Sequence, residues 1–129
     1  MAVILLADDD DILAELVRHH LERNGHQMLL AGDGEAALQL AQEHLPDLVI
    51  LDAMMPIQGG IETLRLLREG DRTAQIPVMM LTSRKSEDDV VGALKLGANE
   101  YVTKPFRPQE LAARVEALLR FRRSDNASS

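Results

Sequence analysis

The sequence predicts an α/β fold in which five parallel strands form one sheet with helices on both faces, three layers in all. Three observations predict it. Short apolar runs alternate with longer amphipathic stretches five times over, and a repeated βα rhythm of that kind builds an open parallel sheet through right-handed crossovers. The runs are continuously apolar rather than alternating, as strands buried on both faces require. With 129 residues and 46% hydrophobic content, the chain can bury one substantial core, and a single domain is the default.

The apolar runs are residues 3–7, 28–31, 48–51, 78–81 and the weaker 101–103. The first is too short for a signal segment, has no basic flank and runs straight into Asp8, so it reads as a strand. The intervening stretches carry apolar residues at helical spacing. These are Leu13, Leu16, Val17 and Leu21 in the first helix, Ala37, Leu38, Leu40 and Ala41 in the second, and Ile61, Leu64 and Leu67 in the third. The fourth has Val90, Val91 and Leu94, and the fifth Leu111, Val115, Leu118 and Leu119. Each is expected to turn one stripe inward. Gly25 and Gly97 stand where left-handed helix C-caps are expected, Ser86 and Asp89 resemble a capping box opening the fourth helix, and Pro108 suits the first turn of the fifth. The domain is expected to span residues 1–123, with the polar 124–129 a tail or the start of a linker. Periodicity leaves the strand order open between flavodoxin-like and Rossmann arrangements.

Composition excludes several function classes. A formal net charge of −7 and a pI near 5.0 disfavour direct nucleic-acid binding. Without cysteine there is no disulfide, thiolate metal site or thiol nucleophile, which fits a cytoplasmic location. No stretch approaches membrane-spanning length. One tyrosine, two phenylalanines and no tryptophan leave the core to aliphatic side chains and offer little for base stacking.

In doubly wound sheets, ligands bind beyond the carboxyl ends of the strands. Four acids, Asp8, Asp9, Asp10 and Asp11, follow the first run; Asp52 ends the third; Thr82 and Ser83 end the fourth; Lys104 and Pro105 follow the fifth. One Asp suffices to cap a helix, so four are an excess. Carboxylates gathered near Asp52 would repel one another unless a cation compensated them, and few protein oxygens completed by water and phosphate favour Mg²⁺ over a Ca²⁺ cage. The Asp run lacks the spacing and distal Glu of an EF-hand loop. Taken singly, Asp52 is also a plausible strand-end turn former, and Lys104 and Thr82 are ordinary surface and strand-end residues.

Acid pair, lone acid, hydroxyl and lysine occur in that order at the ends of the first, third, fourth and fifth strands. The motifs are Leu6-Ala7-Asp8-Asp9-Asp10, then Asp47-Leu48-Val49-Ile50-Leu51-Asp52-Ala53-Met54-Met55-Pro56, Met80-Leu81-Thr82-Ser83 and Tyr101-Val102-Thr103-Lys104-Pro105-Phe106. Together they resemble the response-regulator receiver domain of bacterial two-component signalling, across nearly the whole chain. The resemblance implies the flavodoxin-like strand order 2-1-3-4-5. It implies that Asp52 accepts a phosphoryl group from a sensor histidine kinase or phosphotransfer protein. Asp9 and Asp52 would bind Mg²⁺ through their side chains, Met54 through its backbone carbonyl, and Asp8 mainly through a metal-bound water. Lys104 would neutralise phosphoryl charge. Thr82 and Tyr101 would act as switch residues for a changed face on the fourth helix, fifth strand and fifth helix. Pro105 would follow Lys104 through a cis peptide.

Met54 and Arg84 lie two residues beyond Asp52 and Thr82, and the pair is expected to lengthen the phosphorylated lifetime. Lys95, Glu100, Glu110 and Arg114 partly match charge pairs through which some receivers form homodimers, although Val90 stands where an arginine would be expected. Two alternatives remain, a pseudo-receiver that is never phosphorylated and an aspartyl-nucleophile phosphatase of the haloacid-dehalogenase type. The latter needs an acid two residues after its nucleophile, where this chain has Met54. The chain is accordingly expected to be no enzyme beyond assisting its own phosphorylation and dephosphorylation. A nucleotide-binding protein is weaker still, because no phosphate-binding glycine loop is present.

Overall fold

A computed structural model describes the backbone of residues 2–83 and 87–128, and the side chains of residues 2–83 and 90–120. The elements run β1 (Val3–Ala7), α1 (Asp11–Arg23), β2 (Gln27–Ala31), α2 (Gly34–His44), β3 (Leu48–Asp52), α3 (Gly60–Glu69), β4 (Val78–Thr82), α4 (Glu87–Lys95), β5 (Glu100–Thr103) and α5 (Pro108–Ser128). All neighbouring strands are parallel, in the order β2-β1-β3-β4-β5. The expected α/β class and strand order are both found.

Successive side chains along a strand point to opposite faces, and the core divides accordingly. Ile4, Leu6, Leu48, Ile50, Met79 and Leu81 meet Val17 and Leu21 of α1 and Leu111, Val115 and Leu119 of α5. Leu5, Val49, Leu51, Val78 and Met80 meet Ala37 and Ala41 of α2, Leu64 and Leu67 of α3, and Ala93 of α4. Every residue of β3 and β4 is buried, which explains their unbroken apolar runs.

The helix punctuation follows the chemistry. The Asp10 side chain accepts hydrogen bonds from the Ile12 and Leu13 amides and caps α1, so one member of the acidic run is spent on capping. Asp33 caps α2 in the same way through the Ala36 amide. After α1, the Gly25 amide donates to Glu22 and the His26 amide to Leu21; after α4, the Gly97 amide donates to Leu94 and the Ala98 amide to Ala93. These are matching Schellman ends, and their glycines have φ of +91° and +105°, in the region that favours glycine. Beyond the first of them, the buried His26 ring accepts from the Ala2 amide through Nδ1 and meets the Glu116 carboxylate of α5 through Nε2. Its proton therefore sits on Nε2, and the ring ties β1, β2 and α5 together.

One expectation is corrected. The apolar stripes do not all face inward, since Leu16 of α1, Ile61 of α3 and Val91 and Leu94 of α4 are exposed, and among the described side chains of α4 Ala93 is the residue buried. The reason is angular: Ala93 points at the sheet, and Leu94, one position on, is turned by about 100°. The fifth helix runs to Ser128, and residues 124–129 contain neither proline nor glycine. The expected cap residue Ser86 lies outside the described residues.

Candidate functional site

The site lies at the carboxyl edge of the three central strands and β5. Parallel pairing sets Asp52 beside Leu81 and Thr82 beside Thr103, so the ends of β3, β4 and β5 are brought level within a residue. The Lys104 amide donates to the Thr82 carbonyl at 2.7 Å, and the Lys104–Pro105 peptide is cis, as expected.

The Lys104 ammonium reaches back across the edge. Its Nζ donates to Asp8 Oδ2 at 3.0 Å and to Asp52 Oδ2 at 3.2 Å. The remaining oxygens are also engaged, with Asp8 Oδ1 accepting from the Asp10 amide at 2.9 Å and Asp52 Oδ1 from the Met54 amide at 3.1 Å. Asp8 and Asp52 are buried, at 2% and 5% exposure, whereas Asp9 is exposed. One carboxylate oxygen from each of the three lies within 4.8 Å of the others. Three hard oxygen donors so close, with one open to solvent, fit a small hard cation that keeps part of its water shell.

Burial pushes the Asp52 carboxyl above the ordinary aspartate value; the Met54 amide opposes this, the Asp8 charge adds to it, and Lys104 again opposes it. Burial also pulls the Lys104 ammonium down, but its hydrogen bond to Asp8 and the charges of Asp8 and Asp52 outweigh burial and leave it above the ordinary lysine value. The half-buried lysine is thus favoured in its charged form by the two acids, whereas at Asp52 burial outweighs what Lys104 contributes.

Most predicted site residues lie together. Thr82 is fully buried at the end of β4, and Tyr101 is half-buried on β5, packed against the α2–α3–α4 side of the core. The Met54 side chain is 51% exposed beside Asp52. Arg84 lies outside the described residues.

Two features escaped the sequence reading. A Cβ on Gly60 would stand 2.2 Å from the Asp52 carbonyl oxygen and 2.9 Å from the Ala53 Cα, and one on Gly34 would stand 2.2 Å from the Gln58 carbonyl oxygen. The absence of side chains lets α3 and α2 approach the backbone that carries Asp52 and the loop after it. The paired Gly59 and Gly60 were a usable signal of close approach. No signal marks Ile57, an exposed β-branched residue with φ of +67° at the centre of a tight turn closed by the Gln58 amide on the Pro56 carbonyl.

Comparison with known proteins agrees with this geometry. The model of the response regulator receiver domain matches residues 4–116. The Escherichia coli (strain K12) transcriptional regulatory protein CpxR is 49% identical over 120 residues, covering 93% of this chain and 50% of that protein. The Bacillus subtilis (strain 168) alkaline phosphatase synthesis transcriptional regulatory protein PhoP is 44% identical over 117 residues, covering 91% and 48%. This chain therefore spans about half the length of these relatives. Among solved structures, the receiver domain of Francisella response regulator 1452 superposes with a TM-score of 0.87 at 35% identity, covering 93% of this chain and 98% of that one. A CheY-like receiver from Methanospirillum hungatei JF-1 shares the fold, with a TM-score of 0.91 at 23% identity, covering 97% and 98%. Level strand ends, an acid cluster bridged by lysine and a match over nearly the whole chain lead to one conclusion: this chain belongs to the response regulator receiver domain family.

Proposed function

We propose that the chain is a phosphorylation-controlled switch whose phosphoacceptor is Asp52. The observation that carries this reading is the Lys104 ammonium bridging Asp8 and Asp52 inside a three-carboxylate cluster. An Asp52 oxygen attacks the phosphorus of a phosphohistidine on a sensor histidine kinase or phosphotransfer protein; the P–N bond breaks as the P–O bond forms, and the imidazole leaves with a proton. Such transfers depend on in-line placement and on cancelling charge on the phosphoryl oxygens. Lys104 supplies one positive charge. Asp9 and Asp52, the Met54 carbonyl and, through water, Asp8 would hold Mg²⁺, which when bound supplies the remaining compensation. Thr82 then turns its hydroxyl toward the new phosphoryl group and Tyr101 follows inward, changing the α4–β5–α5 face. A phosphoryl group adds roughly two negative charges, enough to shift a population between two packings that differ by a few kcal/mol.

Incubation with phosphoramidate or acetyl phosphate and Mg²⁺, followed by intact mass, tests the reading. The expected result is one added phosphoryl group on the wild type and none on Asp52→Ala; no adduct on the wild type, or one surviving the substitution, overturns it. Met54 with Arg84 restricts the attacking water and prolongs the phosphorylated state, so Met54→Asn with Arg84→Ala is expected to speed dephosphorylation.

The α4–β5–α5 face is also the proposed homodimer surface of the phosphorylated form. In the structure Arg114 pairs within the chain, with Glu100 at 3.1 Å and Glu110 at 3.2 Å, so dimerisation requires these exposed and individually weak pairs to be exchanged. A monomeric mass at sedimentation equilibrium with a phosphoryl mimic bound would remove the dimer from the proposal.

A further inference from the structure

Away from the acid site, one arginine is used to the limit of its chemistry. A guanidinium has five N–H donors in a rigid fork, and all five of Arg68, on α3, are engaged. Nε donates to the Gly97 carbonyl at 3.1 Å, one terminal nitrogen to the Ala74 and Ile76 carbonyls at 3.1 and 2.7 Å, and the other to the Gly97 carbonyl at 2.7 Å and Asn99 Oδ1 at 3.1 Å. No carboxylate among the described residues pairs with it, and burial pulls its pKa down. Its charge is instead spread over the carbonyls of two turns, one of them the C-terminal turn of α4, whose dipole favours a cation there.

The partners are themselves fixed. Asn99 Oδ1 also accepts from the Val78 amide, and the Asn99 amide donates to the Val78 carbonyl, so the turn after α4 is stitched to the first residue of β4. A Cβ on Gly97 would lie 2.7 Å from Arg68 Nε, so this glycine serves both the left-handed turn and the guanidinium. By contrast the described part of α4 buries little. Of its described side chains, 90–95, Ala93 is the one buried, and Val91 and Leu94 face solvent at 40% and 48% exposure.

We propose that Arg68 is the fixed pivot of the switching face, pinning the C-terminal end of α4 to α3 and to the start of β4 so that phosphorylation moves the N-terminal end of the helix. The pivot rests on the phosphorylation reading above and adds to it where the motion stops. Arg68 touches no reacting atom; it is a positioning residue. Thr82 lies at the β4 end that leads toward the N-terminus of α4, whereas the Arg68 knot holds the opposite end of the helix. A pull at the site is thereby converted into a swing and not a translation of the whole helix.

Backbone NMR of the full chain tests this with beryllium fluoride and Mg²⁺ as the phosphoryl mimic. In the wild type, the amides of residues 87–91 should shift strongly and those of 96–99 little. In untreated Arg68→Lys, which keeps the charge but loses the planar fork, the Gly97, Ala98 and Asn99 amides should exchange with solvent roughly tenfold faster while Val17 and Leu21 in α1 are unaffected. With the mimic, the shift changes in this variant should spread through 96–99. Equal wild-type shifts at both ends of α4, or exchange in Arg68→Lys within about twofold of wild type, would overturn the pivot. If the mimic leaves the Ala53 and Thr82 amides unmoved, the phosphoacceptor reading falls and the pivot with it. Ala53 and Thr82 shifts accompanied by an even displacement along α4 remove the pivot alone.

Discussion

Helices α1 and α4 end alike and are held differently. Both close in a Schellman turn on a left-handed glycine, Gly25 or Gly97. Yet α1 buries Ala14, Val17 and Leu21 against the sheet, while the described side chains of α4 bury Ala93 alone. Helix α1 is fixed by packing along its buried face; the turn that follows α4 is held by hydrogen bonds from Arg68. Moving elements are drawn from the least stable parts of a structure, and on the proposed reading this asymmetry would separate a framework that presents the acids from the face that responds to them.

The comparison can be broken from either side. The largest effect is expected on the framework, where Leu21→Ala should cost about 3 kcal/mol in urea unfolding, because Leu21 is 1% exposed and its loss leaves a cavity. Gly60→Ala should follow at about 2 kcal/mol, since the new Cβ meets the Asp52 backbone, and labelling of Asp52 by phosphoramidate should fall with it.

Asp52→Asn should act in the opposite direction and raise the thermal midpoint of the metal-free protein at pH 7. Its folded-state pKa is raised, chiefly by burial, so the native state prefers the protonated acid, and stability is lost as pH rises through that pKa. The gain from Asn should therefore be full above the raised pKa of Asp52 and shrink as pH falls through it. A gain that grew toward acid would contradict the burial. The smallest effect belongs to α4, where Leu94→Ala should stay within about 0.5 kcal/mol. If it matched Leu21→Ala, the two helices would not differ as described.

Much of this was legible in the chain. The unbroken apolarity of β3 and β4 marked doubly buried strands, and the acids, hydroxyl and lysine at strand ends marked the edge where they meet. Of the Asp8–Asp11 run, Asp10 caps α1, Asp11 stands in its first turn, and Asp8 and Asp9 lie close to Asp52. What stayed hidden depends on tertiary context. Periodicity could not tell Ala93 from Leu94, because an exposed apolar face looks like an inward stripe until the sheet is in place. Arg68 reads as one more helix-surface cation, since the carbonyls it gathers come from turns 6 to 31 residues away. His26 and Glu116 are 90 positions apart, and neither is unusual where it stands.

Lys104 and Asp8 are separated by 96 residues, and that span has a consequence for synthesis. A nascent chain that has emerged only as far as β4 carries every carboxylate of the cluster but not the cation that bridges two of them. Because domains of this size fold as units, the acids are gathered and bridged together only once the fifth strand has been made. The bridged cluster is therefore a property of the finished domain, and a chain cut before β5 lacks it.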